Sequence, residues 1–150
     1  FSYIIGGAVR GILNGILVLL LAYFITGLHI ENWFLTLVYL SVVAWAFAGA
    51  GVIVGIYAKS WDSIMVLTNF FLMPLTFLGG VFYSIEMLPD FWRNISMANP
   101  LYWMINGLRY ATLGIADTSH EISLGISILF ALLFSTLASY MFTKGYRIKT

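Results

Sequence analysis

Residues 33–58 read WFLTLVYLSVVAWAFAGAGVIVGIYA, a run without one charged side chain. About 20 consecutive apolar residues carry an α-helix across a hydrocarbon core of about 30 Å. The run therefore predicts a transmembrane helix. Its second half is crowded with small residues (Ala46, Ala48, Gly49, Ala50, Gly51, Gly55), which let neighbouring helices approach closely in lipid.

Working outward, charges punctuate the chain. Upstream, residues 11–28 are uncharged with Asn14 inside, and residues 3–9 extend this run past Arg10, whose long side chain can snorkel. Downstream, residues 63–85 form a third run, interrupted by Pro74 and by Gly79-Gly80, and residues 122–142 form a fourth. The expected fold is all-α: a polytopic helical membrane protein with four spans at about 3–28, 33–58, 63–85 and 122–142. Composition agrees. Hydrophobic residues make up 61% and charged residues 9% of 150, against roughly 25% charged in soluble domains. So few charges cannot cover a water-facing surface. The first residues, Phe1 to Ile5, lack a Met and read as the middle of an apolar element. The chain is therefore expected to be cut from a longer protein, with at least one more apolar segment upstream.

Residues 86–121 are amphipathic and do not fit the span pattern. The uncharged stretch 94–108 is too short to cross, and Asn99-Pro100 breaks it. Asn caps a helix and Pro fits its first turn. A short apolar helix between polar residues suits a re-entrant or interfacial element. An ordinary loop with a surface helix is the alternative.

Four spans alternate sides, which sorts the charges. One side receives Arg10, Lys59, Lys144, Arg147 and Lys149 with Asp62; the other receives Arg93 and Arg109 with Glu31, Glu86, Asp90, Asp117 and Glu121. The basic side is expected to be cytoplasmic. Trp33, Trp61, Trp92, Trp103 and Tyr146 fall near the predicted interfaces.

The chemistry is sparse. No phosphate-binding Gly-rich loop with Lys is present, no His-Glu-x-x-His pair, and no cysteine. His29 and His120 read as interface residues. Hydroxyls within spans are expected to bond helix backbone. No ionisable residue lies inside a span, which counts against an ion-coupled pump. The net charge of +1 gives no reason to expect nucleic acid.

The stretches Pro74-Leu75-Thr76-Phe77-Leu78-Gly79-Gly80-Val81-Phe82-Tyr83, Met87-Leu88-Pro89, Asn99-Pro100-Leu101-Tyr102 and Gly107-Leu108-Arg109-Tyr110 with Gly114 come in a fixed order. That order resembles the ABC-2 type permease family, the membrane subunits of certain ATP-binding-cassette exporters. Tyr3-Ile4-Ile5-Gly6-Gly7-Ala8-Val9-Arg10-Gly11 is similar to the start of that family's third span. Gly79 stands where the family commonly has Ser.

The resemblance implies a permease subunit in the bacterial inner membrane, carrying spans three to six. It would form the path for a hydrophobic, glycan or drug-like substrate. A second permease subunit, expected as a homodimer partner, and an ABC ATPase that holds ATP-Mg would complete the exporter. This chain would bind no cofactor and catalyse no reaction itself; membrane lipid would surround it. A structural or assembly membrane protein without transport is the alternative. Candidate gating or re-entrant residues are Pro74, Gly79, Gly80, Pro89, Asn99, Pro100, Tyr102 and Arg109. Arg109 either pairs with Glu86, Asp90 or Asp117 to hold the re-entrant element, or lies exposed. Arg10, Lys59 and Asp62 are the candidate ATPase contacts, with simple anchoring the other reading of the two cations. The aromatics near Phe70, Phe71 and Phe77 either line a path or pack.

Overall fold

The computed structural model describes residues 2–79, 85–116 and 118–145. It is helical, with no strand among the described residues. The order is α1 (Ser2–Thr26), α2 (Trp33–Tyr57), α3 (Trp61–Leu67), a π-helical turn (Thr68–Leu72), α4 (Met73–Leu78), a 3-10 turn (Ile85–Met87), α5 (Asp90–Ala98), α6 (Pro100–Leu113) and α7 (His120–Thr143). Four elements are long and apolar enough to cross a membrane: α1, α2, the composite Trp61–Leu78, and α7. At 1.5 Å per residue, a 25-residue helix such as α1 or α2 is about 37 Å long. Gly80, Asp117, Tyr146, Arg147 and Lys149 lie outside the described residues.

The helices start where short polar side chains stop the preceding turn. The Asn32 side chain accepts the Leu35 N–H at 3.0 Å and caps α2. Ser60 accepts the Ser63 N–H at 3.3 Å and caps α3. Inside the spans, hydroxyls turn back on their own helices: Ser41 on the Leu37 carbonyl, Thr76 on Leu72, Ser127 on Ser123, Ser135 on Ala131. No hydroxyl of these four is left to seek lipid.

Helix α2 is the central post, packed against α1, α6 and α7. Lipid tails are as apolar as the side chains, so helices join by close van der Waals fit rather than by escape from water. The small residues of α2 supply that fit. A Cβ on Gly49 would stand 3.1 Å from the Phe134 backbone of α7, and Gly7 and Gly11 of α1 lie over Ala48 and Ala44. One polar bond crosses the same joint: the Trp45 indole N–H donates to Ser135 Oγ at 2.7 Å.

Helices α5 and α6 form a hairpin that enters the bundle and turns back. At its tip Leu101 and Met104 pack with Ala46 of α2 and Ala131 of α7. Ala46 lies about 20 Å along α2 from Trp33. At the other end of α6, the Ala111 and Thr112 carbonyls accept the Asn32 and Glu31 N–H groups, just before α2 begins. The element thus packs along α2 from the start of that helix to the level of Ala46. Trp103 sits one turn from the tip, its indole N–H on the Met97 carbonyl at 2.8 Å.

Candidate gating hairpin

Asn99 and Pro100 make the tip. The Asn99 backbone is extended, Pro100 opens α6, and Asn99 Oδ1 accepts the Leu101 N–H at 3.0 Å. This is the sequence-predicted cap. Its amide has a second use: Nδ2 donates to the Leu75 carbonyl of α4 at 2.6 Å. That carbonyl is available because the helix ends tightly there. The Gly79 N–H, which an α-helix would direct to Leu75, turns to Thr76 at 3.1 Å. Asn99 is 4% exposed, so both amide ends are used where water is scarce. A Cβ on Gly79 would lie 2.8 Å from Ile105 Cδ1 of α6, which makes the glycine a close-contact point between the same two elements.

Pro74 stands one residue into α4, directly after the π-helical turn. Proline lacks an N–H and its ring collides with the carbonyl four residues back. Here the backbone widens by one residue, the Met73 N–H reaching back to Thr68. The third span is thus two short α-helical pieces joined by a looser turn. Within this chain its apolar window has no buried residue, and its main contact with the rest of the bundle is through α6. Phe70, Phe71 and Phe77 are exposed along it. Pro89 stands just before the first turn of α5.

The upper half of α6 is held differently, by a buried polar set. Asn106, 1% exposed, donates to the Thr118 carbonyl, to Thr118 Oγ1 at 3.0 Å and to Ser123 Oγ at 2.8 Å. Tyr102, also buried, brings its hydroxyl to 3.4 Å from Thr118 Oγ1. Tyr39 of α2 is 0% exposed; its ring lies across Gly107, where any Cβ would overlap it, and its hydroxyl donates to the His120 carbonyl. The His120 ring stacks on Tyr110 of α6, centroids 4.2 Å apart. Gly114, at φ 73°, gives α6 a left-handed end that most residues resist, and its N–H closes on Tyr110.

Sequence reasoning missed Tyr39, Asn106, Ser123 and His120 as anchors. Asn106 carried a signal. An amide within an apolar membrane segment must find partners on neighbouring helices.

Arg109 is half-buried and lines a cavity of about 560 Å³ between α1, α2 and α6, together with Asn14 and Thr112. Lys59 and Asp62 flank the start of α3 at the opposite end of the bundle, both exposed. Asp62 lies in the first turn of α3, where a carboxylate suits the helix dipole. Arg10 is not brought to them. It lies between Gly7 and Gly11, level with Ala44 to Ala48, about 18 Å along α2 from Tyr57.

Among the described residues no group of His, Cys, Asp or Glu gathers to hold a metal. Four helices able to span a membrane, with a helical hairpin between the third and the fourth, define a polytopic helical membrane protein. Residues 1–113 match the family described as ABC-2 type transporter, and the chain belongs to that family. It is 37% identical over 144 residues to the inner membrane transport permease YadH of Escherichia coli strain K12, covering 96% of this chain and 56% of the relative. The same figures hold for the YadH permease of Shigella flexneri. Nodulation protein J of Sinorhizobium fredii is 31% identical over 74 residues, 49% of this chain and 28% of that protein. The chain thus spans little more than half the length of the YadH permeases it matches. No solved structure matches it. The four spans and the inner-membrane relatives place it in the inner membrane as a multi-pass chain.

Proposed function

We propose that this chain is the greater part of a permease subunit in an ATP-binding-cassette exporter. It lines the path for a hydrophobic, glycan or drug-like substrate, and ATP is hydrolysed with magnesium on a separate ATPase subunit. Two copies pair within the lipid, and the basic end faces the cytoplasm. Membership of the ABC-2 type transporter family over residues 1–113 carries this reading. The charge distribution supports the orientation: Lys59 and Lys144 lie at one end, Glu31, Asp90 and Glu121 at the other. The ATPase docks at the Lys59–Asp62 turn, the exposed link between α2 and α3. Arg10, deeper along α1, is not part of that contact.

The test is co-purification of the full-length protein with any P-loop ATPase subunit encoded beside it, followed by reconstitution into proteoliposomes. Substrate-stimulated ATP hydrolysis and ATP-dependent movement of a candidate lipid-linked glycan or drug are the expected results. A full-length protein that purifies without any ATPase, and whose loss leaves export intact, is an assembly protein instead.

A further inference from the structure

We propose that Asn99 is a positioning residue that joins the α5–α6 hairpin to the third span, so that a shift of that span is carried to the hairpin tip. This rests on the permease reading only for the purpose of the movement; the joint itself stands on the geometry.

Three observations meet at one place. Within this chain the third span is the least supported of the four, with its main contact on α6. It is articulated, with a π-helical turn before Pro74, so that α4 can move on α3 without unwinding the span. And among the hydrogen bonds between described residues, the one that ties this span to another helical element is the bond from Asn99 Nδ2 to the Leu75 carbonyl. The Gly79 N–H, which an α-helix would direct to that carbonyl, closes on Thr76 instead. Breaking or making the Asn99 bond therefore leaves the Gly79–Thr76 closure in place. On the hairpin side, the same side chain caps α6 through Oδ1. A pull on the amide is a pull on the first turn of α6.

The opposite end of α6 is clamped by Asn106, Tyr39 and the Gly114 turn. A displacement of α4 thus reaches a helix held by polar bonds at one end and, at the other, by apolar packing on α2 and α7 together with the Asn99 bond. The α3 end of the same span begins at the Lys59–Asp62 turn. The span runs from the proposed ATPase contact to the hairpin tip, with its loose turn between.

The experiment uses the full-length protein in native membranes, with Leu72→Cys and Met104→Cys introduced as a cross-linking pair. Both positions line one cavity between the third span and α6, and this stretch has no cysteine of its own. Asn99→Ser keeps a capping oxygen but is too short to reach Leu75. It is expected to slow cross-linking about fivefold, the population change given by one hydrogen bond of ordinary net strength. Gly79→Ala disturbs the joint from the other side and is expected to act in the same direction. Unchanged cross-linking in Asn99→Ser overturns the joint.

In the complex with its ATPase, nucleotide is expected to alter the cross-linking rate of the parent pair. Asn99→Ser is expected to lose that response and to move less substrate per ATP, at near-normal hydrolysis. A nucleotide response that survives Asn99→Ser overturns the transmission. If the unsubstituted protein neither binds an ATPase nor transports, the export reading fails and takes the transmission with it. The cross-linking arm in membranes still decides the joint.

Discussion

The two ends of α6 are held by opposite means. Toward Gly114 the helix is gripped by α2 and α7: Tyr39 lies on Gly107, Asn106 meets Thr118 and Ser123, and His120 stacks on Tyr110. Toward Pro100 it meets the third span through the Asn99 amide and packs its apolar side chains, Leu101 and Met104, on α2 and α7. The first end is rich in buried polar bonds between neighbours that are themselves well packed. The second meets a span with no buried residue in its apolar window. A lipid-embedded bundle has no hydrophobic drive between helices, so rigidity follows fit and hydrogen bonds. The difference marks which end of the hairpin is tied to the third span as well as to α2 and α7.

The comparison can be broken most severely toward Gly114. Gly107→Val drives two methyl groups into the Tyr39 ring. Unfolding of the full-length protein in micelles, followed by denaturant titration, is expected to be easier by about 3 kcal/mol. A shift under about 0.5 kcal/mol would mean that the ring can step aside. Asn106→Leu keeps the volume but strips donors from the Thr118 carbonyl and Ser123. The same titration is expected to show a loss of about 1–2 kcal/mol. Tyr39→Phe removes one hydroxyl from the His120 carbonyl and keeps the ring, for a loss of about 0.6 kcal/mol. In the third span the expectation reverses. Pro74→Ala restores a backbone donor next to the π-helical turn. Global stability is expected to move by less than about 0.5 kcal/mol, while amide exchange across Thr68–Leu72 slows. If that exchange does not change, proline is not the cause of the widened turn.

Much of this architecture could be read before any coordinates. Lys59 and Asp62 bound the charge-free runs of α2 and the third span, and bilayer thickness makes such runs helices. Residues 94–108 were too short to cross, and Asn99-Pro100 announced the turn within them. What could not be read was depth and register. The level of Arg10 is set by Gly7 and Gly11 fitting Ala48 and Ala44, residues 41 and 33 positions away. The π-helical turn is a backbone adjustment to Pro74 that leaves no side-chain pattern. The site was half legible. Gly79, Asn99 and Pro100 meet where α4 faces α6, but the partner of Asn99 is the Leu75 carbonyl, a backbone group that no sequence advertises. Tyr39 and His120 meet across α2 and α7, and nothing local to either predicts the other.

The turn at Asn99 also settles an electrostatic problem. A helix that stopped in the middle of the bundle would expose the equivalent of about half an elementary charge there, positive for a starting helix and negative for an ending one. The hairpin brings one of each to the same residue: α5 ends at Ala98 and α6 begins at Pro100. The two poles oppose each other across a single amide whose oxygen faces the starting helix and whose nitrogen faces an acceptor. The fold thereby carries two helix ends deep among apolar side chains with little net field, and no ionised side chain is required to neutralise them.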